Sequence, residues 1–161
     1  MLRRNVIIMQ FEIERKFLVR EELLPILNDG IVIKQAYLSV APAPTVRIRL
    51  WDEQAFITIK GAVSGICRSE FEYEIPYTDA INLLKLAVTN PIEKVRKIYF
   101  FEGKKWEIDF FEGDNKGLIL AEVELDSENE NVIFPEWVEK EVSNDIRYFN
   151  SQLALCPFNK W

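Results

Sequence analysis

Eight short runs in this chain alternate apolar with polar residues, and the connections between them are brief. The runs fall at 10–19, 31–40, 45–51, 55–61, 66–76, 92–101, 105–112 and 118–125. A period of two marks a half-buried strand, because successive side chains point to opposite faces of a sheet. Connections this short join antiparallel neighbours; a parallel pair needs a crossover of a dozen or more residues. Turn formers stand where the alternation lapses, at Ala41-Pro42-Ala43-Pro44, Trp51-Asp52-Glu53-Gln54, 61–65, Glu102-Gly103-Lys104 and 113–117. Eight is also a number of strands at which a sheet can close on itself, with alternate residues lining the interior.

Three segments break the period of two. Thr78-Asp79 predicts a helix start, and Ile81, Leu84, Leu86 and Val88 follow it until Asn90-Pro91 stops the helix. Phe134-Pro135-Glu136-Trp137 is expected to open a second short helix. Ser143 or Asn144 can cap a third, whose stripe of Ile146, Phe149 and Leu153 is expected to pack into the core without a chemical role. The chain of 161 residues is close to the size of one ordinary domain, and its glycines and prolines are scattered rather than gathered into a linker. One unit over residues 9–161 is expected. Residues 1–8 offer nothing the strand pattern needs, and read as an extension upstream of a natural start at Met9.

Composition excludes several function classes. No apolar run approaches the ~18 residues of a membrane span. A net charge of −6 argues against a nucleic-acid partner, which requires a basic excess to neutralise phosphates. Cys67 and Cys156 lack the spacing of a zinc site or a redox pair, so reduced thiols in a cytoplasmic protein are expected. The chain has no histidine. It cannot run a triad with a histidine base, and any metal it holds must be bound by oxygen ligands.

The charged positions on the strands are sorted by sign. Glu12, Glu14 and Lys16 share one face of the first run, with Phe11, Ile13 and Phe17 opposite. Arg47 and Arg49 oppose Val46, Ile48 and Leu50; Thr58 and Lys60 oppose Ile57 and Ile59; Arg68, Glu70, Glu72 and Glu74 oppose Phe71, Tyr73 and Ile75. Lys94 pairs with Arg96, Glu107 with Asp109, and Glu122 with Glu124. A solvated face usually interleaves signs, whereas here one sign dominates whole strands, acid on the first and last runs and arginine or lysine on the third and sixth. Facing inward, like charges about 4 Å apart repel by about 4 kcal/mol at an effective dielectric near 20, so such a lining needs counter-ions. Carboxylates without histidine or thiolate select hard divalent ions such as Mg²⁺ or Mn²⁺. Clustered Arg and Lys select an oligo-anion, and the guanidinium fork matches phosphate oxygens.

These residues resemble the CYTH superfamily, the triphosphate tunnel metalloenzymes. The hallmark Glu-x-Glu-x-Lys stands as Glu12-Ile13-Glu14-Arg15-Lys16. In the family's order follow Arg47-Ile48-Arg49, Thr58-Ile59-Lys60-Gly61, Arg68-Ser69-Glu70-Phe71-Glu72, Lys94-Val95-Arg96-Lys97-Ile98-Tyr99, Trp106-Glu107-Ile108-Asp109 and Leu120-Ala121-Glu122-Val123-Glu124-Leu125. The resemblance implies an α+β, mainly antiparallel fold: an eight-stranded closed barrel forming a tunnel, with helices packed outside. It also implies metal-dependent chemistry on a triphosphate-containing small molecule, by a monomer or homodimer. Carried over by position, it makes Glu12, Glu14, Asp109, Glu122 and Glu124 the metal carboxylates. Lys16, Arg47, Arg49, Lys60, Arg68, Lys94 and Arg96 become the phosphate clamp. Glu70 and Glu72 are expected to orient neighbouring cations rather than bind metal, and Glu74 and Glu107 to be peripheral or solvated.

Inorganic triphosphate is the expected substrate, since no nucleobase or thiazolium pocket can be picked out. Trp51 and Trp106 are expected in core or rim packing. The alternatives are a class IV adenylyl cyclase, whose members are typically longer and carry a histidine near the first motif, and a polyphosphate-binding module without catalysis, for which the acidic set would be superfluous. Thiamine or nucleoside triphosphatases also remain. With no histidine, the candidates for accepting the proton of an attacking water are Lys16, depressed by cationic neighbours, and Tyr37, inward on the second strand.

Overall fold

The structure, a computed structural model, describes residues 10–161 apart from residues 28, 41, 43 and 63. The proposed extension 1–8 and part of the proline-rich turn lie outside the described residues. Nine strands form in chain order: β1 (Gln10–Val19), β2 (Ile31–Ser39), β3 (Thr45–Trp51), β4 (Gln54–Lys60), β5 (Cys67–Glu74), β6 (Ile92–Phe101), β7 (Lys104–Phe111), β8 (Ile119–Glu124) and β9 (Val138–Glu141). The eight expected strands are all present, within two residues of their expected ends. Their order around the sheet is β5-β4-β3-β2-β6-β7-β8-β1, and pairing of β1 with β5 closes it. Every pairing is antiparallel. The Glu102-Gly103 hairpin between β6 and β7 has positive φ at both residues, the backbone twist a two-residue turn needs.

The helices depart from expectation. Helix α1 (Tyr77–Leu84) ends before Leu86 and Val88 because the chain turns back to β2: the Val88 N–H donates to the Tyr37 carbonyl, and the Tyr37 N–H donates to Thr89 Oγ1. Those bonds satisfy β2 backbone beside the irregularity between Tyr37 and Ser39. Its packed face is Ala80, Leu83 and Leu84, while Ile81, Leu86 and Val88 are exposed. The expected second helix is a single turn followed by β9, which lies on the β1 edge that β5 has left, with Phe17 opposite Glu141 and Val19 opposite Val138. The third is broken into a 3₁₀ turn (Ile146–Tyr148), capped by the Asp145 carboxylate rather than by Ser143 or Asn144, and a short helix α2 (Asn150–Leu153), with extended backbone at Phe149 between them. Its stripe divides accordingly: Ile146 is exposed, Leu153 is in the core, and Phe149 turns toward the barrel interior.

Two apolar clusters sit outside the barrel wall. Phe17 of β1, Trp106 and Ile108 of β7, Ala121 and Val123 of β8 and the following Leu125 pack under Trp137 and Val138, with the Trp106 and Trp137 rings edge to face at 5.3 Å. Ile48, Leu50 and Ala55 pack under Ala80 of α1. Ile92, Phe111 and Leu120, on the same strand faces as Lys94, Asp109 and Glu122, instead pack inside the barrel with Tyr37 and Leu118, and Val142, Leu153 and Ala154 of the C-terminal segment close that end over them. The apolar half of each alternation is thereby covered, which sends the charged half inward.

Candidate active site

Antiparallel register sets the charges opposite one another inside the barrel. Lys16 faces Glu122, Glu14 faces Glu124, Glu12 faces Arg68, Lys60 faces Glu70, Thr58 faces Glu72, Arg96 faces Asp109, and Glu107 faces Glu122. All of them but Thr58 and Asp109 line a cavity of about 570 Å³. Of the residues proposed for the site, all but Lys94 and Asp109 line it.

The basic side is built by β3, β4, β5 and β6. Arg47 Nη2 donates to Thr58 Oγ1 at 3.0 Å and to Glu72 Oε2 at 3.3 Å, and Thr58 donates to the same carboxylate at 2.6 Å. Lys60 Nζ lies 2.7 Å from Glu70 and 2.5 Å from Glu12. Arg68 Nε is 3.5 Å from Glu12. Arg49 has the poorest partner, Glu72 at 4.0 Å, and its buried Nε has none among the described residues. Burial, with Arg47 and Arg96 nearby, lowers its pKa to about 10. Glu70 and Glu72 lie against cations, and their carboxyls are held below the usual range by Lys60 and by Thr58 with Arg49 respectively, against burial, which would raise them.

The acidic side is built by β1, β7 and β8. Glu12, Glu14, Glu107, Glu122 and Glu124, with Lys105, surround a smaller space of about 50 Å³ beside the main cavity. Burial, then repulsion from Glu122, raises the Glu14 carboxyl. Glu122 shows the reverse: burial would raise it, but Lys16 at 2.7 Å and Arg96 at 3.1 Å hold it well below the ordinary range. Among the described residues no three acid or thiol groups are already converged as metal ligands. The donor set nonetheless fits a hard divalent cation, because it is all oxygen and holds an acid whose ionisation its neighbours oppose.

Asp109 and Lys94 share the inward faces of Glu107 and Arg96 but lie beyond the cavity, toward Phe111. Each is 1% exposed. Both Asp109 oxygens are engaged, one by Arg96 Nε at 2.7 Å and the other by Arg96 Nη2 at 2.7 Å and Lys94 Nζ at 2.6 Å. Asp109 is thus set apart from the four carboxylates named with it as metal ligands. Burial lowers the Lys94 pKa to about 8 despite Asp109. Lys16 differs from its expectation: burial would lower it, but Glu122 and Glu14 dominate and raise its pKa above the usual lysine value. Tyr37 lines the cavity with its pKa raised by burial against Arg47 and Arg49, and its hydroxyl oxygen accepts from Gln35 Nε2 at 3.2 Å.

Several lining residues escaped the sequence reading. Glu107, expected to be solvated, bonds Arg96 and lies 2.8 Å from Lys105; both share the β7 face with Asp109, so the period of two pointed to them. Ser143, Phe149, Asn150 and Ser151 reach the cavity from the C-terminal segment, for which no local periodicity gave a signal. Trp51 is half-buried at the cavity with Arg49 5.6 Å from its ring centre, and Trp106 is in the outer core, as expected.

The CYTH domain profile matches residues 10–155. This chain belongs to the CYTH family. It is 40% identical over 151 residues to an inorganic triphosphatase of Acetivibrio thermocellus, an alignment covering 93% of this chain and 97% of that protein. An inorganic triphosphatase of Nitrosomonas europaea is 35% identical over 153 residues, covering 89% and 97% respectively. The crystal structure of an inorganic triphosphatase superposes with a TM-score of 0.66 at 33% identity, over 89% of this chain and 94% of that one. A putative adenylate cyclase from Bacillus halodurans shares the fold at a TM-score of 0.55 and 17% identity, over 73% and 81%. Divalent-metal dependence is general among CYTH triphosphatases.

Proposed function

We propose that this chain hydrolyses inorganic triphosphate with Mg²⁺ or Mn²⁺. The observation that carries the reading is the sorting of one cavity into a cationic clamp and an acidic wall, which a linear polyanion and a hard cation satisfy together. The two relatives named inorganic triphosphatase, aligned over most of their length, support the same substrate.

Arg47, Arg49, Lys60, Arg68 and Arg96 bind phosphate oxygens, and Glu70 and Glu72 hold the cations of β3 and β4 in place until they do. Glu12, Glu14, Glu122 and Glu124 hold the cation, which when bound neutralises phosphoryl oxygens and acidifies water. Asp109 aims Lys94 and Arg96. Lys16 stays protonated beside Glu122 and Glu14, so we assign it to charge neutralisation at the seam between the two halves. Tyr37, accepting from Gln35, keeps its own proton to donate to a phosphate oxygen. Neither is the proton acceptor in this reading. Purified protein incubated with Mg²⁺ or Mn²⁺ and a panel of triphosphates is expected to release phosphate fastest from inorganic triphosphate. Cyclic nucleotide release from ATP, or binding of triphosphate without turnover, would replace the reading with a cyclase or a binding module.

A further inference from the structure

Lys94 belongs to the expected clamp, yet its ammonium is buried beyond the cavity, near the Phe111 ring, and does not line it. Its Nζ donates to Asp109 Oδ2 at 2.6 Å and to Asn150 Oδ1 at 3.2 Å. Asn150 does line the cavity, and it comes from the C-terminal segment rather than from the barrel. Among the described residues its side chain's one hydrogen bond is the one it accepts from Lys94. The amide orientation follows from chemistry: Lys94 can only donate, so it must face the oxygen of Asn150, which leaves the NH₂ group for another acceptor. A hydrogen bond from a cation to the carbonyl oxygen also polarises the amide and strengthens its N–H donors.

We infer that Asn150 is a substrate-binding residue: its Nδ2 donates to a phosphate oxygen while its Oδ1 accepts from Lys94, so that the buried charge of Lys94 reaches the triphosphate through this amide. The inference rests on the triphosphatase reading and adds a ligand from outside the charged strand motifs. It accounts for an amide without a structural duty at the surface of an anion-binding cavity, and for a lysine that is part of the charged motifs without touching the cavity.

The test is calorimetric titration with inorganic triphosphate in metal-free buffer containing chelator, where binding is read without turnover, alongside thermal melts. Wild type is expected to bind. Asn150→Ala should weaken binding about tenfold or more while leaving the melting midpoint nearly unchanged. Lys94→Met should weaken it as well, and the double variant should be no worse than the weaker single one, because the two residues act in series. If Lys94→Met does not fold, the side-chain amide resonance of Asn150, assigned by its loss in Asn150→Ala, supplies the second reading and should shift on adding triphosphate. Affinity within about twofold of wild type in Asn150→Ala, losses that multiply in the double variant, or an unmoved amide resonance would each overturn the inference while leaving the triphosphatase reading in place. Absence of binding by wild type would overturn both.

Discussion

Arg49, Asp109 and Glu14 are three charged side chains in one barrel whose partners give them different duties. Arg49 is buried, has no partner among the described residues closer than Glu72 at 4.0 Å, and has Arg47 as a like-charged neighbour, so it contributes little to the fold and can take an anion. Arg49→Ala should lower kcat/KM for inorganic triphosphate by tenfold or more, the loss of a charge-assisted bond worth about 1.5–3 kcal/mol, with the melting midpoint unchanged or higher. Arg49→Lys should recover part of the activity, since it keeps charge and loses the fork. Asp109 is the opposite case. Asp109→Asn leaves Lys94 buried without a carboxylate partner and takes from Arg96 its two-pronged one, leaving it Glu107 and Glu122, and should destabilise the protein by about 3–5 kcal/mol, measured by urea unfolding; a stability change within about 0.5 kcal/mol would return Asp109 to the metal set. Glu14 has its carboxyl raised, so its ionised form at neutral pH opposes folding until a cation neutralises it. Glu14→Gln should therefore melt higher than wild type in chelator, gain less than wild type when Mg²⁺ is added, and lose turnover.

At the scale of elements, each failure of expectation traces to an edge or face that another part of the chain had to cover. Helix α1 packs through Ala80, which is fully buried, against Ile48, Leu50 and Ala55. Ala80→Leu should cost about 1–3 kcal/mol by overpacking, while Leu86→Gln, at a side chain that is 69% exposed, should stay within about 0.5 kcal/mol. Urea midpoints of the two variants separate the observed face from the one expected from Ile81, Leu84, Leu86 and Val88. Strand β9 is held to β1 by Arg15, whose Nε and Nη2 donate to Glu141 at 2.9 and 2.6 Å, and the next residues continue the attachment, with Val142 N–H donating to the Lys16 carbonyl and Lys16 N–H to Ser143 Oγ. That attachment carries the chain to the cavity, which is how Phe149 and Asn150 come to line it.

Across the whole molecule, the apolar core wraps the barrel and closes one end of its interior, and charges line the rest, so stability is tied to protonation. Against burial, which would raise both, Arg96 with Lys94 lowers the Asp109 carboxyl and Lys16 with Arg96 lowers that of Glu122. A folded pKa below the unfolded one means that the unfolded chain binds more protons across the interval, so stability rises with pH through it. The contribution is complete above the ordinary carboxylate range near pH 4 and is lost as pH falls toward the folded values. Urea midpoints should be steady around neutrality and drop steeply below about pH 4, and Asp109→Asn should blunt the drop. Excess chelator should abolish turnover, with activity restored by Mg²⁺ or Mn²⁺ and the fold retained throughout; full activity in chelator would remove the metal from the reading.

The alternation of Glu12-Ile13-Glu14-Arg15-Lys16 and its counterparts determined the strands, their shared faces and the sorting of sign, because a period of two is a local property that any strand obeys. The same locality made Glu107 and Lys105 legible in principle, on the face of Asp109. Only the tertiary structure decided which carboxylate faces which cation, since that depends on register between strands distant in sequence. It placed Lys16 between Glu14 and Glu122 and reversed the expected direction of its pKa. It also buried Asp109 and Lys94 beyond the cavity and brought Asn150 to it, because burial and long-range partners belong to the closed barrel and leave no trace in the period of any one segment.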